Sequence, residues 1–291
     1  QPPVIGEMTA GIVLGPIVLG ALFPAWHAEV FAPASLPALE GLSQVGLVLF
    51  MFIVGAELRT PDGARPQIVA ASYIAVLSVL VPMAFGFGAA WLLYEQCAPP
   101  GIDFPTFALF MASAMSITAF PIMARILKER GMTHTVLGRL SLTAAAIADV
   151  FAWIMLAMVV VMEDAHQDWG RFARMLLGLF VLATAIFVIA RPLLARMTAR
   201  YAADGKPAAP MLAMLLIGTF ACAYATKWLG VHPVFGAFLF GAALPRDDRL
   251  LHSLIERVEH VAIIVLMPVF FALAGLSTTP AAFVGAGLSG M

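Results

Sequence analysis

The sequence predicts an all-α integral membrane protein of about nine to ten transmembrane helices. Three observations carry that expectation. Hydrophobic residues make up 62% of the 291 and charged residues 11%, with a mean hydropathy of +0.97, whereas soluble domains average roughly 45–50% apolar and ~25% charged. Apolar runs long enough for a helix through ~30 Å of hydrocarbon recur along the chain. The loops between them are alternately rich and poor in Lys and Arg. The ten-residue alternating segments of a membrane β-barrel are not found.

The runs fall at 4–23, 42–58, 67–94, 104–127, 137–162, 171–192, 208–228, 231–245 and 259–277. The run at 231–245 is short and reads as tilted, broken or extended past Pro245. Segments 24–41, 95–103 and 162–170 hold no Lys or Arg, and the last holds Glu163, Asp164 and Asp168. The intervening segments carry Arg59 and Arg65; Arg125, Lys128, Arg130 and Arg139; Arg191, Arg196, Arg200 and Lys206; and Arg246, Arg249 and Arg257. Arg171, Arg174 and Lys227 fall toward the other side. Every second loop is positive, which assigns those loops and the first residue to the cytoplasmic side of an inner or plasma membrane.

A net charge of −1 argues against a nucleic-acid partner. Cys97 and Cys222 form neither a disulfide framework nor a metal motif. No HExxH, GxSxG, Walker or dinucleotide-glycine pattern occurs, and Gly86-Phe-Gly88 lacks the third glycine, so neither an enzyme nor a cofactor is expected. The chain opens at Gln1 without a basic n-region and stops at Met291 inside a Gly-rich apolar run. It reads as a fragment of a longer membrane protein.

The first run, VIGEMTAGIVLGPIVLGALF, holds a Gly11-xxx-Gly15 pair that permits close helix contact, within the chain or at a dimer seam. Glu7 near its cytoplasmic end, and Glu57 closing the second run beside Arg59, read equally as interfacial acids or as supporting site residues. Residues 107–128 read FALFMASAMSITAFPIMARILK. Pro121 has no N–H and its ring clashes with the preceding turn, so a helix here kinks or breaks around Ala119, Phe120 and Pro121. Ser113, Ser116 and Thr118 supply hydroxyls just before it. Freed carbonyls inside a membrane are tolerated where they are buried in protein or line a wet cavity, and broken helices are where transporters hold Na+ or H+.

Residues 140–162, LSLTAAAIADVFAWIMLAMVVVM, carry Asp149 near their middle. A carboxylate at that depth costs at least ~2.5–3.5 kcal/mol on insertion scales and by default marks an ion or proton pathway. Ala145, Asp149 and Trp153 share one helical face, with Ala146 and Ala152 near it. Small residues leave room for an ion or water, and Trp153 is placed to wall the cavity. His232 opens the small-residue run GVHPVFGAFLFGAALP at its outer end, where an imidazole can titrate at about pH 6–7, but a lone histidine there reads first as a solvated group.

GEMTAGIVLGPIVLG, LFMFIVGAELR, SITAFPIMARIL, LSLTAAAIADVFAW, GVHPVFGAFLFGAALP and LMPVFFALAGLST occur in the order and spacing of the monovalent cation/proton antiporter superfamily, which the chain resembles over nearly its whole length. SITAFPIMARIL and ADVFAW resemble most the branch of plant cation/proton exchangers and their bacterial relatives. The resemblance implies an inverted-repeat antiporter fold with crossing discontinuous helices, in which an ion-carrying core moves against a dimerisation domain. It implies a homodimer. Over 1–291 it implies a dimer-type helix at 4–23, core ion-site helices at 42–162, and linker or dimer-domain helices with the start of the second repeat at 171–277. Asp149 matches the ion-binding aspartate and Thr118 the breakpoint threonine. Ala148 stands where Asp, Asn or Gln is common, so the resemblance carries no electrogenic or electroneutral assignment. The second broken helix and the helix bearing a basic residue toward the site would lie beyond Met291.

The expected function is exchange of Na+ or K+, held at Asp149 with Thr118 and Ser116, for protons. Such a carboxylate is stable in two states, protonated and neutral or ionised with a cation bound. Two other readings of the resemblance stand beside it: a glutathione-type gated potassium efflux system, and a non-transporting membrane sensor on the same fold.

Overall fold

The computed structural model describes residues 2–58, 65–133, 135–163, 169–201, 209–245, 259 and 261–278. All regular elements among them are helical. Seven helical stretches are long and apolar enough to cross a membrane: Pro3–Leu22, Leu36–Glu57, Pro66–Cys97, Phe104–Glu129, Val136–Val159, Trp169–Thr198 and Ala209–Trp228. Two shorter apolar helices, Pro233–Ala242 and Val261–Leu276, account for the remaining two runs of the sequence. The chain is a multi-pass, all-α membrane protein. Arg59, Asp164, Asp168, Lys206, Arg246, Arg249 and Arg257, part of the loop-charge alternation, lie outside the described residues.

In chain order the helices are α1 (Pro3–Leu14), α2 (Leu19–Leu22), α3 (Pro24–Val30), α4 (Leu36–Glu57), α5 (Arg65–Cys97), α6 (Phe104–Ser116), α7 (Phe120–Glu129), α8 (Val136–Glu163), α9 (Trp169–Ala185), α10 (Arg191–Tyr201), α11 (Ala209–Trp228), α12 (Pro233–Ala242) and α13 (Met267–Leu276). π-helical turns at Ile186–Ala190 and Val261–Leu266 lead into α10 and α13. Two compact units result. One comprises Gln1–Glu57, Ala183–Ala225 and Pro233–Met291; the other comprises Leu58–Leu182 and Thr226–His232. Helix α4 belongs to the first unit, where it packs on α12 and α13.

The first unit is held by backbone-to-backbone contact at glycines. Without a hydrophobic drive between helices in lipid, close approach and dispersion supply the association. Gly11 of α1 lies on the Ala272 backbone of α13, and Gly275 of α13 lies on Met8 of α1. Gly15 meets Leu276, so the Gly11-xxx-Gly15 pair is occupied by a partner inside the chain. Gly55 of α4 and Phe238 of α12 make a second such contact, reciprocated by Gly241 and Phe52. Every residue from Gly46 to Ala56 is buried.

The second unit carries the acidic centre. Asp103 caps α6 by accepting from the Thr106 N–H at 3.3 Å, and Pro105 sits in the first turn, where its missing N–H costs nothing. α5 and α6 form an antiparallel hairpin. Tyr94 stacks edge-on against Phe104, Gly86 lies on the Ala112 backbone, and the Ser116 hydroxyl reaches the Val79 carbonyl at 3.1 Å. The same face of α5 meets α8, where Ala71, Ala75 and Val79 bury Ala144 and Ala148. Alanines at these places let α8 lie close enough to present Asp149 to α7.

Candidate functional site

The site begins at the break between α6 and α7. Helix α6 ends at Ser116, residues 117–119 leave the helix, and α7 starts at Phe120. Pro121 stands in the first turn of α7 rather than in a helix interior, so the proline restarts a helix instead of kinking one. Leaving the helix for three residues takes the intrahelical donors from the last carbonyls of α6, and the first N–H groups of α7 likewise lack intrahelical acceptors. Two helix ends therefore face one gap: a partial negative end suited to a cation and a partial positive end suited to a carboxylate.

Asp149 is 7% exposed and sits on α8 opposite this gap. Its carboxylate accepts from the Phe120 backbone N–H at the start of α7 and from the side chain of Trp153 one turn along α8. The indole Nε1–H is tryptophan's single polar group, so it is the donor. Phe120 N–H also meets the Thr118 carbonyl at 3.0 Å. Hydrogen bonds to a charged group contribute about 1.5–3 kcal/mol each, and two of them are comparable with the ~2.5–3.5 kcal/mol insertion cost of the acid. An ionised Asp149 is tolerated here because the helix end and the indole replace water.

The hydroxyls divide. Thr118 and Ala119 are exposed in the gap. Ser116 is buried, and its Oγ lies 2.7 Å from the Ala112 carbonyl on its own helix and 3.1 Å from the Val79 carbonyl, the contact that ties α6 to α5. Ser113, one turn earlier, is 4% exposed, and its Oγ has no hydrogen-bond partner among the described residues. Ala148 points away from the gap into the apolar seam with α5. Glu7 and Glu57 are half-buried members of the other compact unit.

Several features went beyond the sequence reading. Trp153, expected to wall the cavity, is a hydrogen-bond donor to the acid. Its indole also packs on His232, with ring centroids 5.1 Å apart and planes 33° from parallel. His232 is therefore not the solvated group expected; it is half-buried, and burial holds its imidazole below the ordinary histidine value. Arg125, counted among loop charges, lies on α7 at 4% exposure and pairs with Glu129 one turn on. The i, i+4 spacing of Arg125 and Glu129 was the available signal. No group of three or more His, Cys, Asp or Glu that could hold a metal occurs among the described residues.

Comparison with known proteins adds the relatives. The family described as sodium/hydrogen exchanger, transmembrane, matches residues 1–289. The chain is 37% identical over 279 residues to the Na(+)/H(+) antiporter NhaS4 of Synechocystis sp., covering 96% of this chain and 68% of that protein. It is 36% identical to cation/H(+) antiporter 20 of Arabidopsis thaliana, covering 100% of this chain and 36% of that one. It is 34% identical to K(+)/H(+) antiporter 1 of Saccharomyces cerevisiae, covering 95% of this chain and 32% of that one. The chain thus spans about two thirds of the cyanobacterial relative and about one third of the plant and yeast ones.

Proposed function

The chain belongs to the sodium/hydrogen exchanger family, and from that premise we propose that it exchanges a monovalent cation, K+ or Na+, for protons by alternating access at Asp149. Relatives named for Na+/H+ and K+/H+ exchange support the cargo. The observation that carries the reading is the buried Asp149 carboxylate, held by the first N–H of α7 at a break in a membrane-spanning stretch. A proton neutralises that carboxylate; a partly dehydrated cation does the same. A carrier that changes its access only in those two neutral states couples the two fluxes. Thr118, exposed in the gap, and the last carbonyls of α6 are oxygen ligands suited to Na+ or K+. Ser116 supports the site by fixing α6 on α5. The assembly we propose is a homodimer in an inner or plasma membrane.

Liposomes containing the full chain test this. Imposed Na+ or K+ gradients should drive proton movement, and Asp149→Asn should reduce it to the level of empty vesicles. Equal flux in parent and variant would remove Asp149 from the mechanism.

A further inference from the structure

We propose that His232 is a positioning residue for the exchange site, bracing the Trp153 indole so that its N–H stays on the Asp149 carboxylate. This rests on the exchange reading of Asp149 given above. Trp153 has two duties that its backbone alone does not fix: the plane of its ring and the aim of its N–H. A centroid separation of 5.1 Å at 33° is within the range of offset aromatic packing, so the imidazole covers one face of the indole.

The backbone around His232 is built to hold it. Helix α11 ends in a Schellman cap: Gly230 adopts φ +86°, its N–H bonds the Lys227 carbonyl at 3.0 Å, and the Val231 N–H bonds the Thr226 carbonyl at 2.9 Å. Leu229 packs its side chain on Gly178 of α9. Pro233 then restricts the backbone of the residue before it. His232 is thus fixed from both sides, with Thr226 fully buried beneath the cap. A loop meant only to join two helices needs none of this aim at Trp153.

Charged groups on the surrounding elements are few. On α8, Asp149 is one turn from Trp153, while Arg139 and Glu163 lie roughly 15 Å or more along the axis. Arg171 and Arg174 at the start of α9, and Lys227 at the end of α11, are exposed. Burial keeps the imidazole neutral at neutral pH, so the brace is an aromatic contact there. Acidification that protonates His232 charges the ring facing the indole.

The test compares the full chain with His232→Ala, His232→Phe and Asp149→Asn in liposomes across pH, with K+ and Na+ as the probes. Loss of the brace in His232→Ala should raise the half-saturating cation concentration about tenfold, as for one weakened charge-assisted hydrogen bond, with a smaller effect on maximal rate. His232→Phe keeps a ring and should recover most of that loss, while removing any limb of the pH profile that tracks histidine. Parent kinetics in His232→Ala at every pH, or a loss that Phe does not rescue, would overturn the proposal. Emission from Trp153, isolated from the other four tryptophans by difference against Trp153→Phe, reads the contact without transport. Asp149→Asn should alter that emission with His232 present and not in the His232→Ala background. A parent that moves no cation would sink the exchange reading, and the emission arm would still decide whether His232 couples Trp153 to Asp149.

Discussion

Trp153 and Asp149 stand one turn apart on α8, joined by an indole N–H to carboxylate hydrogen bond. An acid and its donor on the same helix keep their backbone spacing whatever the neighbouring helices do, while the aim of the indole is set by its packing on His232. The Phe120 N–H is different, since it comes from another element across the α6–α7 break. The carboxylate therefore has one partner from its own helix and one that depends on the packing of α7 against α8.

The partner on α8 can be removed cleanly. Trp153→Phe keeps the ring and deletes the donor, costing the ionised acid about 1.5–3 kcal/mol. The ionised, cation-bound state then lacks that donor, and the half-saturating cation concentration near pH 7 should rise about tenfold or more. Flux titrations with Na+ and K+ check this; an unchanged value would mean that the indole does not contribute.

Pro121 tests the conditional partner. Pro121→Ala should cost little folding stability, because the first turn of a helix tolerates either residue. It should favour a continuous α6–α7 helix that engages the Phe120 N–H, and so slow exchange severalfold or more. A variant with parent thermal stability and reduced flux fits; a variant with parent flux would show that the break is kept by other means.

Two glycines two residues apart make a paired stability test. A methyl at Gly86 would come 2.7 Å from the Ala112 Cα, whereas a methyl at Gly88 would meet nothing within 4 Å. Overpacking costs about 1–3 kcal/mol, and an unobstructed Gly→Ala change in a helix gains up to about 1 kcal/mol. Thermal unfolding in detergent should show Gly86→Ala destabilised and Gly88→Ala at or above the parent.

His232 gives a pH signature in stability. Its folded value lies below the ordinary 6.5, so between the two values the unfolded chain binds more protons than the folded one. Stability then rises with pH through that window, is complete above about 6.5 and declines on acidification. Unfolding temperatures at pH 5.5 and 7.5 should differ in the parent, and the difference should shrink in His232→Phe.

Much of this was legible in the sequence because membranes impose a simple code. Nine runs became nine apolar helical stretches among the described residues, since a spanning helix needs length and hydropathy more than a particular partner. Asp149 announced itself because an acid in an apolar run is costly, and the spacing to Trp153 put both on one face. The Phe120 N–H was hidden because a backbone donor looks the same at every residue. Its only trace was Pro121, whose place in a first turn leaves the preceding N–H outside the helical ladder. His232 was misread because its neighbour lies 79 positions earlier on another element. The Gly230 and Pro233 that aim it were visible, but a cap gives a direction and not a target.

The reciprocal seating of Gly11 on Ala272 and Gly275 on Met8 has a consequence for how the protein is made. Roughly 260 residues separate the two helices in sequence, and at about 5–20 residues per second of synthesis that interval lasts on the order of tens of seconds. For that time α1 waits beside the insertion machinery or in lipid with its bare glycine surface unmatched. The ribosome must deliver α13 before α1 can take its final seat. The seating of α1 is therefore timed by α13, and a stalled or shortened nascent chain leaves α1 open to capture by insertion chaperones and membrane quality control.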